Sequence, residues 1–520
     1  MKEVTLVLTP GEASNDEIIR AKASARSGIP ESEIKSLRYL HRSVDARRGR
    51  ISVYLKVEVR TEELPSSLIT PRFSWKDVSR SDEVIIIGSG PAGMFAALTL
   101  IGEGIRPVIL ERGKKISERK VDIARISSEH IIDNDSNYCF GEGGAGTFSD
   151  GKLYTRSKKR GDNLRVLELL VFHGANPDIL FEAHPHIGTD KLPGVIRNIR
   201  KTITDAGGLV LFDHRVEDII IHQENVAGVK CRDGSIFSSP NVILATGHSA
   251  RDIYHLIHGK GIALEVKSFA MGVRVEHPQE MIDRIQYHGA GRGPFLPAAT
   301  YSLTSRIEGR GVYSFCMCPG GFIVPAATSN EEIVVNGMSP SGHNSPYANS
   351  GIVVEIRPED IPAEYLRRGS LAGLFYQADI ERLAWLNSER SQVAPAQRLS
   401  DFIAGRQSDN LPAVSYFPGV VSSPIHDWLP SSIAEKLKGA FIQFERKMKG
   451  YITGEAAITA VESRTSSPVR IKRNSETLEH EKISGLYPAG EGSGYAGGIL
   501  SSSIDGIRVA KAIARKLAAS

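Results

Sequence analysis

The chain has 520 residues, too many for one compact core, so two or three domains are expected. Its net charge of +4 is spread over this length and favours no nucleic-acid partner, and the hydrophobic fraction of 41% is ordinary for a globular protein. Four irregularly spaced cysteines argue against a disulfide framework. Neither a signal peptide nor an apolar run of about 20 residues, as a membrane helix needs, is apparent. We therefore expect a cytoplasmic protein outside the membrane.

Residues 1–60 predict a small α/β unit. "EVTLVL" and "ISVYLKVEV" are typical of strands, and helical periodicity covers roughly Asn15 to Leu40 with interruptions near Gly28 and Pro30. A segment rich in proline and serine follows at 61–81. We predict an N-terminal domain over residues 1–78, for which the sequence indicates no role.

From Asp82 onward, "EVIIIGSGPAGMFAALTLIGEGIRPVILERG" predicts a strand, a glycine turn, a helix and a second strand. Gly88, Gly90 and Gly93 form the G-x-G-x-x-G fingerprint, in which the glycines allow a tight turn, a close approach to pyrophosphate and close helix–sheet packing. The helix begins at about Pro91, and its free N–H groups would face the phosphates. Glu111 ends the second strand and can accept ribose hydroxyls. The segment predicts a dinucleotide-binding unit, the alternative being a βαβ unit that binds nothing.

Two further segments match the same fingerprint in weaker contexts. The segment at 141–146 follows a polar stretch, not a strand, and the overlapping phosphate-loop pattern fails because Leu153 stands where Ser or Thr must follow Lys152. The segment at 492–497 follows a strand and precedes a helix, but no second strand comes after it. We interpret it as a helix N-terminus that lies against a ligand held elsewhere.

Four stretches together carry a family resemblance: "VIIIGSGPAG…LERG", "FGEGGAGTFSDGKL", "VILATG" and "GLYPAGEGSGYAGGILSSSIDG". The set resembles the predicted NAD(FAD)-utilising dehydrogenases of the two-dinucleotide-binding-domain flavoprotein superfamily, from Asp82 to the end of the chain. The resemblance implies FAD as cofactor. Residues 260–455 contain no recognisable second Rossmann unit, so either NAD(P)H binds transiently beside the flavin as reductant, or the reductant is another compound.

The resemblance implies an α/β fold with a discontinuous Rossmann-like FAD-binding domain of the glutathione-reductase type. This domain would span residues 79–261 and 456–520. An α+β substrate or cap domain would be inserted at 262–455, after the small α/β domain at 1–78.

The resemblance also implies a set of cofactor contacts. The backbone of Val216 would meet the adenine, Glu491 would contact the ribityl chain or the pyrophosphate, and the helix after Gly498 would direct its N-terminus at the flavin. The predicted cofactor-binding residues are Gly88, Gly90, Pro91, Ala92, Gly93, Glu111, Arg112, Gly143, Gly144, Ala145, Gly146, Thr147, Val216, Ala245, Thr246, Gly247, Gly490, Glu491, Gly497, Gly498 and Ile499.

"FGEGGAGTFSDGKL" then has a place along the flavin. Its glycines permit close backbone approach to the ring, and Thr147, Ser149 and Lys152 could reach the polar edge of that ring. The alternative is a glycine-rich connector that touches no ligand.

Cys316 and Cys318, in a C-x-C pair, are candidates for a redox dithiol, and Lys152 is a third catalytic candidate. Buried cysteine is also common in protein cores, so a purely structural pair is the alternative. No metal site is predicted, because no second Cys or His pair lies at ligand spacing.

His186 and Arg464 complete the catalytic candidates. His186, close to His184, could protonate a substrate or bind an anion, and the alternative is a surface or helix-capping role. Arg464 could anchor a substrate carboxylate, or it could pair with Glu462 or with a backbone carbonyl.

These patterns favour an FAD-dependent oxidoreductase that transfers a hydride between flavin and a small organic substrate. One alternative is a flavin-binding protein whose cofactor is structural or sensory. Another is an FAD-dependent RNA-modifying enzyme, which the basic run "RSKKR" at 156–160 favours, although a solvated loop explains that run as well. The sequence indicates neither the substrate nor the oligomeric state.

Overall fold

The computed structural model describes residues 1–47, 49–65, 71–153, 162–289 and 291–519. The basic run at 156–160 lies outside the described residues. The N-terminal unit is an antiparallel three-stranded sheet in the order β1-β3-β2 with one helix packed on it. Its elements are β1 (Lys2–Leu8), α1 (Asp16–Ser27), β2 (Ser36–Asp45) and β3 (Ser52–Arg60).

The structure corrects the helix predicted over residues 15–40. Helix α1 begins after Asn15, whose side chain accepts hydrogen bonds from two backbone N–H groups of the first turn, and it ends at Ser27. Gly28 then adopts a left-handed conformation (φ 69°) that terminates the helix. Residues 36–45 form a strand because their pairing with β3 outweighs their helical periodicity.

A second group of elements follows the segment at 61–81. It consists of β4 (Glu83–Ile87), α2 (Pro91–Glu103), β5 (Arg106–Leu110), α3 (Ile116–Glu129), α4 (Asn163–Phe172), α5 (Leu192–Asp205), β6 (Leu209–Leu211), β7 (Val216–His222), β8 (Asn225–Cys231), β9 (Ile236–Ser238), β10 (Val242–Leu244) and α6 (Arg251–Gly259).

The remaining elements are β11 (Leu264–Val266), β12 (Phe269–Pro278), α7 (Gln279–Gln286), β13 (Thr304–Ile307), β14 (Arg310–Cys318), β15 (Phe322–Pro325), β16 (Val335–Met338), β17 (Tyr347–Ile356), α8 (Ala363–Leu366), α9 (Ala372–Leu386), β18 (Ala394–Arg398), α10 (Leu399–Ala404), β19 (Val420–Ser422), α11 (Ile425–Trp428), α12 (Ser431–Lys447), β20 (Ala457–Glu462), β21 (Val469–Ile471), β22 (Leu486–Pro488) and α13 (Ile499–Ala519). None of the described helices is long and apolar enough to cross a membrane.

A parallel sheet of five strands, in the order β22-β10-β4-β5-β6, carries the glycine turn. Its central strands are continuous apolar runs, as expected for strands covered on both faces. Helices α2 and α13 pack against each other beside this sheet. The carboxyl ends of β4, β10 and β22 therefore meet at one edge, although β22 lies some 400 residues after β4 in the chain.

Residues 269–462 build a separate seven-stranded sheet in the order β13-β14-β17-β12-β20-β18-β19. Its strands pair antiparallel except for β18 and β19. Strand β20 lies in this sheet, so the sheet extends beyond the domain boundary predicted at residue 455. β20 is an apolar strand that suits either sheet, and its pairing with β12 decides between them.

Candidate active site

A cavity of about 340 Å³ opens at the carboxyl ends of the parallel strands. Part of its wall is formed by backbone segments that follow β4, β10 and β22, that precede α13, or that belong to the turn at 144–146. Predicted cofactor residues in the wall are Gly88, Gly90, Pro91, Ala92, Glu111, Arg112, Gly144, Ala145, Gly146, Val216, Ala245, Thr246, Gly247, Gly490, Glu491, Gly497, Gly498 and Ile499.

Three predicted cofactor residues lie behind this wall. A Cβ atom on Gly93 would overlap the carbonyl oxygen of Gly88, so this glycine allows helix α2 to pack closely on the turn. Thr147 is buried, and its hydroxyl donates to the carbonyl of Glu142 over 2.6 Å. Gly143 packs against the Thr147 side chain. Gly143 and Thr147 therefore stabilise the 141–147 segment and do not face the cavity.

Two helices direct their N-termini at the cavity. Helix α2 begins at Pro91 as predicted, and no side chain caps its first N–H groups. Helix α13 begins at Ile499 in the same wall. Uncapped N–H groups and the positive end of the helix dipole favour an anionic ligand.

The space beside Gly90 tests whether a pyrophosphate fits. A Cβ atom on Gly90 would approach no atom outside its chain neighbours closer than 3.9 Å, so the packing of the protein itself does not require glycine there. The glycine leaves open space at the start of α2, where a phosphate would accept hydrogen bonds from the backbone. The residues at this end of the cavity fit the group that the family resemblance implies.

The carboxylate of Glu111 is buried and already holds four hydrogen bonds. One oxygen accepts from the backbone N–H and the hydroxyl of Ser89, and the other accepts from the N–H groups of Gly113 and Gly141, all within 3.0 Å. Glu111 thus joins the turn at 88–93 to the segment at 141–147. Contact with a ribose stays a prediction, because the ribose hydroxyls would have to share these acceptor positions.

Arg464 lines the cavity, but most of its donors are engaged within the protein. Its Nε and Nη2 atoms donate to Glu381 over 3.1 and 2.9 Å, Nη2 also reaches Glu332, and Nη1 donates to the Thr328 hydroxyl. The alternative partner considered for Arg464, Glu462, binds Arg274. Because these protein groups already accept hydrogen bonds from the Arg464 guanidinium, the contacts argue against a role for Arg464 as the anchor of a substrate carboxylate.

His186 lies outside the glycine-lined cavity. It borders a second cavity, of about 1340 Å³, between the N-terminal unit and the rest of the chain. Its ring stacks on that of His343, with 4.1 Å between centroids, and burial lowers the pKa of both imidazoles. The two neutral rings stack on each other beside the second cavity, and neither ring lines the cavity at the parallel sheet.

Lys152 and the cysteine pair meet at the cavity. The Lys152 ammonium lies 2.7 Å from the Asp150 carboxylate and 3.7 Å from the sulfur atoms of both Cys316 and Cys318. Cys316 borders the cavity, whereas Cys318 is fully buried. A hydrogen bond from Cys318 and the charge of Lys152 lower the pKa of Cys316 to about 7, against the effect of burial.

Two charged residues near this cluster were missed by the sequence analysis. Asp150 is buried beside Lys152, and Arg274 is buried in β12, where it pairs with Glu462 over 2.8 Å and lies 3.9 Å from the Cys318 sulfur. An arginine inside the apolar run "AMGVRVEH" was the available signal, because a buried charge needs a partner.

Glu491 also lines the cavity, with 23% of its side chain exposed. Burial raises the pKa of Glu491 to about 7, although Lys267 acts in the opposite direction. The neighbouring His248 lies 3.9 Å away, and burial lowers its pKa to about 4, so it carries no charge that would hold Glu491 ionised.

Family models match four segments of the chain. They describe an FAD-dependent protein, C-terminal domain-like, at residues 268–465, an FAD binding domain at 81–122, glucose inhibited division protein A at 190–275, and a domain of unknown function at 1–60. The FAD-binding match contains the glycine turn and Glu111.

An uncharacterized protein of Clostridium beijerinckii is 38% identical over an alignment of 518 positions that covers 96% of this chain and 96% of that protein. Protein FixC of Escherichia coli is 28% identical over an alignment of 220 positions that covers 40% of this chain and 46% of FixC. Glycine oxidase from Bacillus cereus is 13% identical and superimposes with a TM-score of 0.31 over 84% of this chain and 96% of that one. From the family models and the full-length relative, the chain belongs to a family of FAD-dependent flavoproteins.

Proposed function

We propose that this protein is an FAD-dependent oxidoreductase that passes a hydride between bound FAD and a small organic substrate. The observation that carries the proposal is the meeting of two helix N-termini and several glycine segments around one cavity at the carboxyl edge of a parallel sheet. In α/β proteins that edge is where dinucleotides bind. The family matches support the same cofactor.

Different parts of the cavity wall would hold different parts of FAD. The backbone at Gly90 and the N-terminus of α2 would bind the pyrophosphate, and Val216 would lie beside the adenine. The segment at 144–146 and the N-terminus of α13 would border the ring. When bound, the flavin supplies the redox chemistry, while these residues orient it and exclude water.

A substitution at Gly90 tests the proposal. Alanine fits the protein there, since Gly90 has an extended backbone (φ −72°, ψ −177°) and open space around its Cβ position, but the methyl group would occupy the place proposed for the pyrophosphate. We expect Gly90→Ala to keep the fold and to weaken FAD binding by at least about tenfold, or about 1.4 kcal/mol. Titration of the apoprotein with FAD, with circular dichroism as a check on folding, measures this effect.

Gly102→Ala is the matched control. Gly102 lies in the same helix, and a Cβ atom there meets nothing within 4 Å. Unchanged FAD affinity is expected for this variant. Equal affinity in Gly90→Ala and wild type would contradict the proposed pyrophosphate site.

Stopped-flow mixing of the holoprotein with NADH, NADPH and other donors identifies the reductant. Failure of every donor and acceptor to change the redox state of the flavin would favour a structural or sensory cofactor.

A further inference from the structure

The C-x-C pair departs from regular strand geometry. In an extended strand the Cα atoms of residues i and i+2 lie about 6.7 Å apart, near the upper limit for a disulfide. At the end of β14 the pairing with β17 shifts register between Phe315 and Cys318, and Cys316 has a left-handed backbone (φ 49°). The sulfur atoms of Cys316 and Cys318 consequently lie within 4.8 Å of each other.

A left-handed conformation is costly for a residue with a side chain. Here it places Cys316 at the cavity wall with Cys318 directly behind it. Both thiols are free in the structure. The bulge thus presents one sulfur to the proposed flavin site and keeps the second within reach of the first.

The charges around the two sulfurs favour a thiolate. Lys152 contacts both sulfur atoms and the Asp150 carboxylate, and Arg274 lies beyond Cys318. Asp150, Cys316 and Cys318 could in principle hold a metal ion, but the Lys152 ammonium contacts all three groups and supplies the positive charge that a metal would bring. The arrangement is suited to thiol redox chemistry.

We propose that Cys316 and Cys318 form a redox-active dithiol that exchanges two electrons with the bound flavin. Oxidation of the two thiols forms one S–S bond and releases two protons and two electrons, which convert oxidised flavin to its reduced form; the reverse step reopens the disulfide. Cys316 is the sulfur at the cavity wall, Cys318 is its partner, and Lys152 is a positioning residue that stabilises the Cys316 thiolate. This inference rests on the flavin-binding function proposed above.

The number of electrons that the holoprotein accepts tests the dithiol. In an anaerobic titration with dithionite, we expect the oxidised wild type to take up about four electrons per FAD, two for the flavin and two for the disulfide. Cys318→Ser should take up about two. Cys231→Ser is the matched control, because Cys231 is a buried cysteine in β8, outside both the cavity wall and the cluster, and it should behave as the wild type.

A second measurement reads the cysteines directly. Trypsin does not cleave between Arg357 and Pro358, so the tryptic peptide is 311–367, which contains Cys316 and Cys318 and no other cysteine. When the oxidised holoprotein is alkylated without reduction, this peptide should carry no alkyl group and weigh two hydrogens less than the dithiol form. When the protein is reduced before alkylation, the peptide should carry two alkyl groups. The mass is read on the wild type, so it does not depend on whether Cys318→Ser folds.

Two results would overturn the dithiol: alkylation of both cysteines in the oxidised holoprotein together with a wild-type uptake of about two electrons, or one tightly bound metal ion per chain that is lost in Cys318→Ser. Failure of the wild type to bind FAD would instead overturn the proposed function, and the peptide mass would still report on the thiols.

Discussion

At the scale of single residues, the position of Glu491 is set by its neighbours. Gly490 has a left-handed backbone (φ 76°), and its N–H donates to Asp505 over 2.8 Å. Arg473 in turn holds Asp505 through two hydrogen bonds of 2.7 and 2.9 Å. This chain of contacts fixes the Glu491 backbone at the cavity wall, where the carboxyl loses water and its pKa rises to about 7.

We expect this pKa to make FAD binding dependent on pH. As the pH rises through about 7, Glu491 gains a negative charge that would face the anionic cofactor proposed for the cavity. We expect the wild type to bind FAD several-fold more weakly at pH 8 than at pH 6, and Glu491→Gln to show a flatter profile. Isothermal titration of the apoprotein across this range measures both. Glu476→Gln, an exposed change, is the control, and equal slopes in Glu491→Gln and wild type would contradict the assignment.

At the scale of elements, two helices are placed by their contact with each other. Helices α2 and α13 cross where Gly506 faces Ala92, and a Cβ atom on Gly506 would overlap the Ala92 carbonyl oxygen. Their N-termini, at Pro91 and Ile499, both lie in the cavity wall. A change in helix separation at this crossing therefore alters the site, although Gly506 is not part of the wall.

Gly506→Ala tests this coupling. The added methyl group must push the helices apart or distort them, which costs about 1–3 kcal/mol in overpacked cores. We expect a lower melting temperature and weaker FAD binding, measured by thermal unfolding with and without FAD. Lys511→Ala, at an exposed position on the same helix, should change neither. Wild-type FAD affinity in Gly506→Ala would show that the site does not depend on this packing.

At the scale of the whole molecule, a buried ionic network joins segments that follow strands of different sheets. Glu381 on α9 accepts hydrogen bonds from Arg251 on α6, from Arg464 and from the Ser463 hydroxyl. Burial alone would raise the pKa of Glu381, but the two arginines lower it to about 2. The network connects α9 and the segment after β20 with α6, the helix that follows strand β10 of the parallel sheet.

Removal of this charge should destabilise the protein in a pH-dependent way. Glu381→Gln leaves Arg251 and Arg464 with Glu332 as the carboxylate that they still share, and the loss of the buried charge should cost about 3 kcal/mol in the free energy of unfolding at pH 7. A carboxyl whose pKa is lowered on folding stabilises above its unfolded value of 4.5, and that contribution is lost as the pH falls towards about 2. The difference between variant and wild type should therefore shrink between pH 5 and pH 3.

Urea unfolding at several pH values measures this difference. Glu435→Gln, which removes an exposed ion pair with Lys438, should cost at most about 1 kcal/mol at any of these pH values. A deficit in Glu381→Gln that stays constant from pH 7 to pH 3 would mean that the carboxylate charge is not what stabilises the network.

The glycine turn and the first residue of α2 follow from local sequence, whereas most of the other residues predicted around the cavity were implied by the family resemblance. A strand that ends in Gly88, a helix that begins at Pro91 and an apolar strand that ends at Glu111 are short-range patterns, because turn chemistry and hydrophobic period act over a few residues. The sequence by itself therefore determined the strand, the glycine turn and the helix around which the candidate site is built.

Tertiary structure decided what those patterns do not encode. Lys152 and Cys316 are 164 residues apart in the chain, and Arg464 lies 83 residues from Glu381, so no local period relates them. Residues 36–45 became a strand and β20 joined the seven-stranded sheet through hydrogen bonds to distant partners. Backbone pairing and buried charge depend on which segments meet in space, and this is why the glycine turn could be predicted from the sequence while the contacts of Lys152 with the cysteine pair and of Arg464 with Glu381 could not.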